Sequence, residues 1–233
     1  GNHLHVHESV VSVKEVLKRS RELGVSMTVF LTAVFLKAIH EEMSKMQEKK
    51  PIVLMVPVNL RKFFPSTSML NFFNWIEPGY DFSKRDRSFE EVLGYTKDFF
   101  EEQLTKEKMS AHINDLLALE LHPILRLAPL ELKNLCINAG AKFSNMSAVR
   151  MPDSYVSYIE RFGVFTNTPK LELCLCSFED KLSFAFTSRY DTVNIERNFY
   201  RLLKEQGITA EKVEPEFPMP QMPSEQEMKV RSE

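Results

Sequence analysis

Glycine is scarce in this sequence, with 7 residues in 233. That is about 3%, against an average near 7% in soluble proteins. Proteins that hold nucleotide phosphates do so with glycine-rich loops, and the sequence contains neither a G-x-G-x-x-G string nor a Walker-type string. The low glycine content therefore argues against a nucleotide-binding fold.

The sequence also has few cysteines, little net charge and no long apolar run. Three cysteines (Cys136, Cys174 and Cys176) are too few for a disulfide framework and suit a reducing compartment. The net charge of −2 and pI of about 6.4 provide no basic field for nucleic acid or anionic lipid. No apolar run reaches 18 residues, and the N-terminus has no signal-peptide core. We expect a cytoplasmic protein that binds neither nucleic acid nor membrane.

The composition is that of an ordinary globular protein, with 43% hydrophobic and 27% charged residues. A chain of this length buries roughly 70% of its surface on folding, which is enough for a core without disulfide or metal support. We predict one domain over residues 3–210. From residue 211 onward, four prolines and many charges predict a loosely ordered tail over 211–233.

Hydrophobic periodicity predicts an α/β (α+β) fold in which helices pack on a mixed β-sheet. The predicted helices are 13–23, a long helix capped by Ser26, 89–104, 112–139 and 195–205. The predicted strands are 3–10, 51–60, 71–76, 161–165, 171–176 and 182–187. The last two strands flank the polar pair Glu179-Asp180 and predict an antiparallel hairpin.

Alternating histidines open the first predicted strand. His3, His5 and His7 lie on one face of such a strand, and H-x-H pairs do bind metal ions. Only Glu8 is close in sequence as a further ligand, so we favour a terminal strand with one solvated face. A metal-dependent hydrolase that uses the three histidines is the alternative. Three other histidines fall in predicted helices far apart in sequence and are not expected to act as bases: His40, His112 and His122.

Cys174 and Cys176 lie two residues apart on one predicted strand face. A disulfide between them would be strained, and no C-x-x-C pair is present to complete a zinc site. We interpret both thiols as small hydrophobic side chains inside the fold.

Polar side chains end several predicted apolar strands. The segments are VPVNLRKFF (56–64), MLNFFNWI (69–76), FSNMSAVRMP (143–152) and SFAFTSRYDTVNIERNFYRLLKEQG (183–207). A strand end is where polar groups meet a cleft without the cost of burial in a core. By composition alone, strand caps and turn formers are an equally good interpretation.

These segments, in this order and after the helix GVSMTVFLTAVFLKAI (24–39), resemble the second half of the chloramphenicol acetyltransferase-like superfamily. That superfamily includes alcohol acetyltransferases, plant BAHD acyltransferases and the condensation domains of nonribosomal peptide synthetases. The resemblance covers residues 5–207. PVNLRKFFPS followed by NFF is most similar to the bacterial alcohol acetyltransferase branch.

The resemblance implies a two-lobed enzyme of which this chain is the C-terminal lobe, one chloramphenicol acetyltransferase-like half. An acyl donor, such as acyl-CoA or another thioester, and an alcohol or amine acceptor would meet in a tunnel between the lobes. The general base is then the histidine of an HHxxxDG motif in the N-terminal lobe. The implied partner is that missing lobe, no cofactor is bound tightly, and the chain by itself is expected to be inactive.

The HHxxxDG motif is absent from this sequence. At the place where single-lobe relatives carry it, the sequence has Ser188-Arg189-Tyr190-Asp191, which contains no neutral base for pH 7. We therefore expect no catalytic residue in this chain and assign Asp191 and Arg189 structural roles, with Arg61 as a candidate partner of Asp191. A non-catalytic docking or scaffold lobe of the same fold is the alternative.

The resemblance also implies the residues that bind substrate. Ser144 and Asn145 would line the tunnel, where a hydroxyl or amide can stabilise a developing oxyanion. Asn59 and Arg61 are the other candidates, although an arginine fork can equally tie a loop to carbonyl groups. A lobe without its partner should expose an apolar face, so we also expect a homodimer through that face.

Overall fold

The computed structural model describes residues 4–122, 140–166, 170–189 and 192–213. The strands are β1 (His5–Ser12), β2 (Ile52–Asn59), β3 (Phe73–Ile76), β4 (Gly79–Tyr80), β5 (Ala141–Ala148), β6 (Leu171–Phe178), β7 (Lys181–Ser188) and β8 (Glu211–Val213). The helices are α1 (Val13–Glu22), α2 (Met27–His40), α3 (Phe89–Gln103), α4 (Lys106–Leu121), α5 (Asp153–Val156) and α6 (Asn194–Glu205).

The strands form one sheet in the order β3-β2-β5-β6-β7-β1-β8, and β4 also pairs with β2. The central strands β2, β5 and β6 are parallel, whereas the other pairings are antiparallel. β6 and β7 form the predicted hairpin, with Glu179 in a positive-φ turn conformation. The prediction of a mixed sheet with helices packed on it is confirmed.

Helix α2 lies at the centre of the core. Its sequence is apolar on nearly every side because the helix packs against the sheet and against α3 and α6. Ser26 caps its N-terminus by accepting a hydrogen bond from the Val29 amide. Phe35 is fully buried in this helix and contacts the rings of Phe143 in β5 and Phe199 in α6. The helix thus fixes β5 and α6 relative to each other.

No single helix within the described ranges is long and apolar enough to cross a membrane. Helices α1 and α2 have the length and composition of a membrane span only when they are taken together, and the chain bends by 88° between them.

Several boundaries differ from the sequence-based expectation, and the strands β4 and β5 are not among the predicted ones. Residues 161–165 form an irregular segment rather than a strand. α4 begins at Lys106 rather than at residue 112, because Thr105 caps it by accepting from the Lys108 amide; residues 123–139 of the predicted helix lie outside the described residues. The sheet continues three residues past the predicted boundary at 210, since Val213 in β8 pairs with Glu8 in β1. The remainder of the predicted tail, residues 214–233, also lies outside the described residues.

Both cysteines of β6 are buried, which confirms the interpretation of these thiols as part of the fold. Burial and the neighbouring Glu172 carboxylate raise the pKa of Cys174 to about 12. Burial also raises the pKa of Cys176, whose thiol donates to the Phe162 carbonyl at 3.1 Å. Both therefore stay protonated and unreactive at neutral pH. Cys136 lies outside the described residues.

His40 is the last residue of α2. Its ring stacks on Phe82 at a centroid distance of 3.9 Å, and Nε2 lies 3.0 Å from the Glu48 carboxylate. Burial lowers the pKa of His40 below its ordinary value, although Glu48 opposes the shift. The neutral imidazole is therefore the form that the folded protein prefers.

Acidification is expected to destabilise the protein through His40. Because the folded-state pKa is lowered, the unfolded chain binds the proton more readily, so this stability is present above about pH 6.5 and is lost as the pH falls. Urea unfolding at steps from pH 7.5 to 5 should show a decreasing free energy of unfolding. In His40→Gln, which does not titrate, the pH dependence should be shallower. An unchanged pH dependence in that variant would contradict the assignment to His40.

Candidate functional site

The carboxyl edge of the parallel strands carries the predicted substrate-binding residues. Asn59 is the last residue of β2, and Ser144 and Asn145 lie in β5, which runs in the same direction. Arg61 follows in the short 3₁₀ turn after β2. In open sheets with parallel strands, ligands bind outside the carboxyl ends of the strands. Asn59, Arg61 and Asn145 thus lie near the carboxyl edge, whereas Ser144 lies further inside β5.

Asn145 ties β5 to the first turn of α2. Its Oδ1 accepts from the Ser147 amide at 2.8 Å, and its Nδ2 donates to the Thr28 hydroxyl at 3.3 Å. Ser147 has a φ of 66°, and the pairing with β6 is irregular between Asn145 and Ala148. The amide side chain therefore stabilises an irregularity within β5, after which Ala148 still pairs with Ser177 in β6.

Ser144 and Asn145 face opposite sides of the sheet. Side chains alternate along a strand, so Asn145 shares the α2 side with Phe143, whereas Ser144 lies on the other side, in register with Cys174. Ser144 is half-buried in the strand interior rather than at its end. A ligand can therefore approach both residues only where it crosses the edge of the sheet.

Asn59 and Arg61 hold the loop that follows β2. The Asn59 side chain accepts from the Arg61 amide at 3.0 Å, which caps the 3₁₀ turn. The Arg61 guanidinium donates from Nη2 to the carbonyls of Ser68 at 2.7 Å and Leu70 at 2.8 Å. These contacts match the architectural interpretation of the arginine fork. The two side chains shape this edge by fixing the loop.

Exposed apolar side chains surround this edge. Met69 is 98% exposed and Met146 is 61% exposed, and the same region exposes Leu70 and Phe73. Clustered apolar exposure of this kind marks an interaction surface more often than a free surface. The carboxyl edge thus has a polar rim, formed by Asn59, Arg61 and Asn145. Its apolar surround consists of the exposed side chains Met69, Leu70, Phe73 and Met146.

Ser188 and Arg189 lie at the opposite edge of the sheet. The paired residues Met55, Lys142, Glu172 and Thr187 form a row across β2, β5, β6 and β7. Asn59 lies four residues beyond Met55, or about 13 Å along the strand, and Ser188 lies on the other side of the row.

The pair between Arg61 and Asp191 stays a prediction. The Arg61 side chain bonds the Ser68 and Leu70 carbonyls, and exposed Arg189 lies at the opposite edge. Asp191 itself lies outside the described residues.

The histidine face of β1 is also at this second edge. His3 lies outside the described residues. No cluster of three or more potential metal ligands occurs in the described parts of the chain. Instead, His7 Nδ1 lies 3.3 Å from the carboxylate of Glu196 in α6. Sequence reasoning missed Glu196 because nearly the whole chain separates the two residues.

Comparisons with known proteins identify the architecture. No family model matches the sequence, and no curated protein matches it. Solved structures do match. A structure of condensation domain-mediated chain release from the enacyloxin polyketide synthase aligns with a TM-score of 0.56 and 12% identity, covering 94% of this chain and 44% of that chain. The chain has the condensation-domain fold.

Two further condensation-fold structures show the same relation. The epimerization domain from the third module of tyrocidine synthetase B aligns with a TM-score of 0.57 and 11% identity, covering 88% of this chain and 48% of that one. A trichothecene 15-O-acetyltransferase from Fusarium sporotrichioides aligns with a TM-score of 0.57 and 12% identity, covering 87% and 46%. The chain therefore spans about half the length of each, and the likeness establishes the fold.

Proposed function

We propose that this chain is the C-terminal lobe of a two-lobed acyltransferase that transfers an acyl group from acyl-CoA or another thioester to an alcohol or amine. The observation that carries the proposal is the shared fold over about half the length of an acetyltransferase and of condensation-type domains. The polar rim and apolar surround of the carboxyl edge support it, because such an edge suits a wall that another lobe covers.

The proposed chemistry divides between the two lobes. The acceptor hydroxyl or amine attacks the thioester carbonyl, the new C–O or C–N bond forms, and the C–S bond breaks to release the thiol. A base outside this chain takes the acceptor proton, since Ser188 and Arg189 stand where a histidine pair would be needed. Ser144 supplies a hydroxyl donor that can stabilise the oxyanion, and Asn145 fixes the strand that carries it.

The structure supports the two alternatives to different degrees. A docking or scaffold lobe of the same fold predicts the same structure and differs only in activity. The metal-dependent hydrolase has less support, because among the described residues the histidine face offers His5 and His7 but no complete ligand set. A homodimer through the apolar edge stays a prediction.

An acyl-transfer assay tests the proposal. Thiol release from acetyl-CoA should be measured with panels of alcohols and amines, for the 233-residue chain and for the complete product of its gene. We expect no turnover above background for the chain, and turnover for the gene product that is lost when the histidine of an HHxxxDG motif outside these residues is replaced.

Two outcomes would overturn the proposal. Enzymatic turnover by the chain alone, abolished by replacing one of its own residues, would place a complete site within it. A folded gene product that transfers no acyl group from any thioester tested, or that encodes no such histidine, would favour the scaffold alternative.

A further inference from the structure

A cavity of about 260 Å³ lies at the amino edge of the sheet, opposite the candidate site described above. Residues of neighbouring strands form its floor: Leu171, with Ser188 paired to His5, and then Phe186 paired to His7. The loop before α6 and the first turn of α6 form the remaining wall, with Thr192, Val193, Ile195 and Glu196. The exposed surface of the lining is mostly apolar, although five lining residues carry a polar group: His5, His7, Ser188, Thr192 and Glu196.

Its polar centre is the pair of His7 and Glu196. The Nδ1 atom of His7 lies 3.3 Å from a carboxylate oxygen, and the side chains are 31% and 15% exposed. Burial raises the pKa of Glu196, while His7 and Lys212 oppose the shift. The carboxylate is thus largely withdrawn from water and has the imidazole as its nearest partner.

This contact selects one tautomer of the imidazole. In a neutral imidazole, a carboxylate beside Nδ1 favours the proton on that nitrogen, which leaves the Nε2 lone pair as a hydrogen-bond acceptor. No hydrogen bond to Nε2 comes from any residue within the described ranges. The cavity therefore combines a largely apolar surface with an acceptor nitrogen of His7 whose orientation is fixed by a half-buried acid.

We propose that this cavity binds a small neutral aryl alcohol, the size of phenol, whose hydroxyl donates a hydrogen bond to Nε2 of His7. An engineered apolar cavity of about 150 Å³ holds benzene, so 260 Å³ leaves room for one ring with a polar substituent. An anion is disfavoured because Glu196 already carries negative charge at the site, and an aryl alcohol satisfies both the apolar walls and the acceptor. The site does not depend on the acyl-transfer proposal.

Phenol and toluene form a matched pair of probes, because they have nearly the same shape and differ in the hydroxyl group. Titration of the 233-residue chain, followed by NMR shifts of the Leu171 and Ile195 methyl groups, should show phenol binding about tenfold more tightly than toluene. That ratio corresponds to one hydrogen bond of about 1.4 kcal/mol. In His7→Phe the preference for phenol should disappear while toluene still binds.

Two further variants separate the site from general effects. Glu196→Gln keeps the side-chain size but removes the charge that orients the imidazole, so the phenol preference should shrink. His112→Phe, in the middle of α4 where the ring contacts Trp75, should leave both affinities unchanged. The proposal is overturned if neither probe shifts the cavity residues, if phenol and toluene bind equally, or if folded His7→Phe keeps the preference.

Discussion

Replacing Phe199 with alanine is expected to lower the free energy of unfolding by about 3–5 kcal/mol, a large share of the total stability of a domain. The ring is fully buried in α6. It contacts four other rings, of which Phe186 at 5.3 Å and Phe184 at 5.5 Å belong to β7. Because α2 contributes Phe35 to the same cluster, the cavity left by the substitution would separate both helices from the sheet.

Chemical denaturation with guanidinium, followed by far-UV circular dichroism, measures this loss. Phe199→Leu refills most of the space and should cost much less than alanine, because the cavity term is smaller. Phe165→Ala provides a control for the loss of a ring at the surface, since that side chain is 55% exposed, and should change stability by less than about 0.5 kcal/mol. A cost for Phe199→Ala that equals the cost for Phe165→Ala would show that the cluster does not hold α6 on the sheet.

The elements that the sequence predicts well are those whose signal is local. The apolar run of α2 begins at a serine cap, and both signals lie within a few residues of each other. The β6–β7 hairpin likewise carries its alternation and its turn residues in one short segment. Such features need no knowledge of distant partners.

The segment 161–165 shows why an alternating pattern is insufficient. A strand forms only where a neighbour offers free backbone groups, and β6 already pairs with β5 on one side and β7 on the other. The segment instead packs across the sheet face, where Arg161 contacts Glu8 at 3.3 Å and the Phe162 ring contacts Phe178. Competition for sheet edges is a property of the whole fold and is invisible in the local pattern.

Local sequence likewise predicts only part of the candidate site. Strand ends predict that Asn59 and Asn145 lie at an edge, whereas only the observed strand β5 shows that Ser144 and Asn145 face opposite sides of the sheet. The partners of these residues cannot be predicted from local sequence, because Thr28 meets Asn145, and Glu196 meets His7, only after the chain has folded. These side-chain contacts could therefore be identified only from the structure.

Introducing a leucine at Ser144 in the complete gene product is expected to lower kcat/KM for acyl transfer about 100-fold. This prediction rests on the proposed function. Ser144 is half-buried on the sheet face away from α2, in register with Cys174, so a leucine there would project into the proposed tunnel wall. A displacement of about 1 Å in a bound reactant is enough to cost a factor of that size.

Matched variants distinguish obstruction from loss of the hydroxyl or of the fold. Ser144→Ala removes the donor without adding bulk, so it should lower kcat while leaving KM nearly unchanged if the hydroxyl stabilises the oxyanion. Lys45→Leu adds a leucine at an exposed position beyond the far end of α2 and should leave both constants unchanged. Equal Tm values for the three variants would exclude unfolding as the cause. If Ser144→Leu then behaved like Lys45→Leu, this strand would form no part of the wall, because an enlarged side chain facing the reactants cannot leave their approach undisturbed.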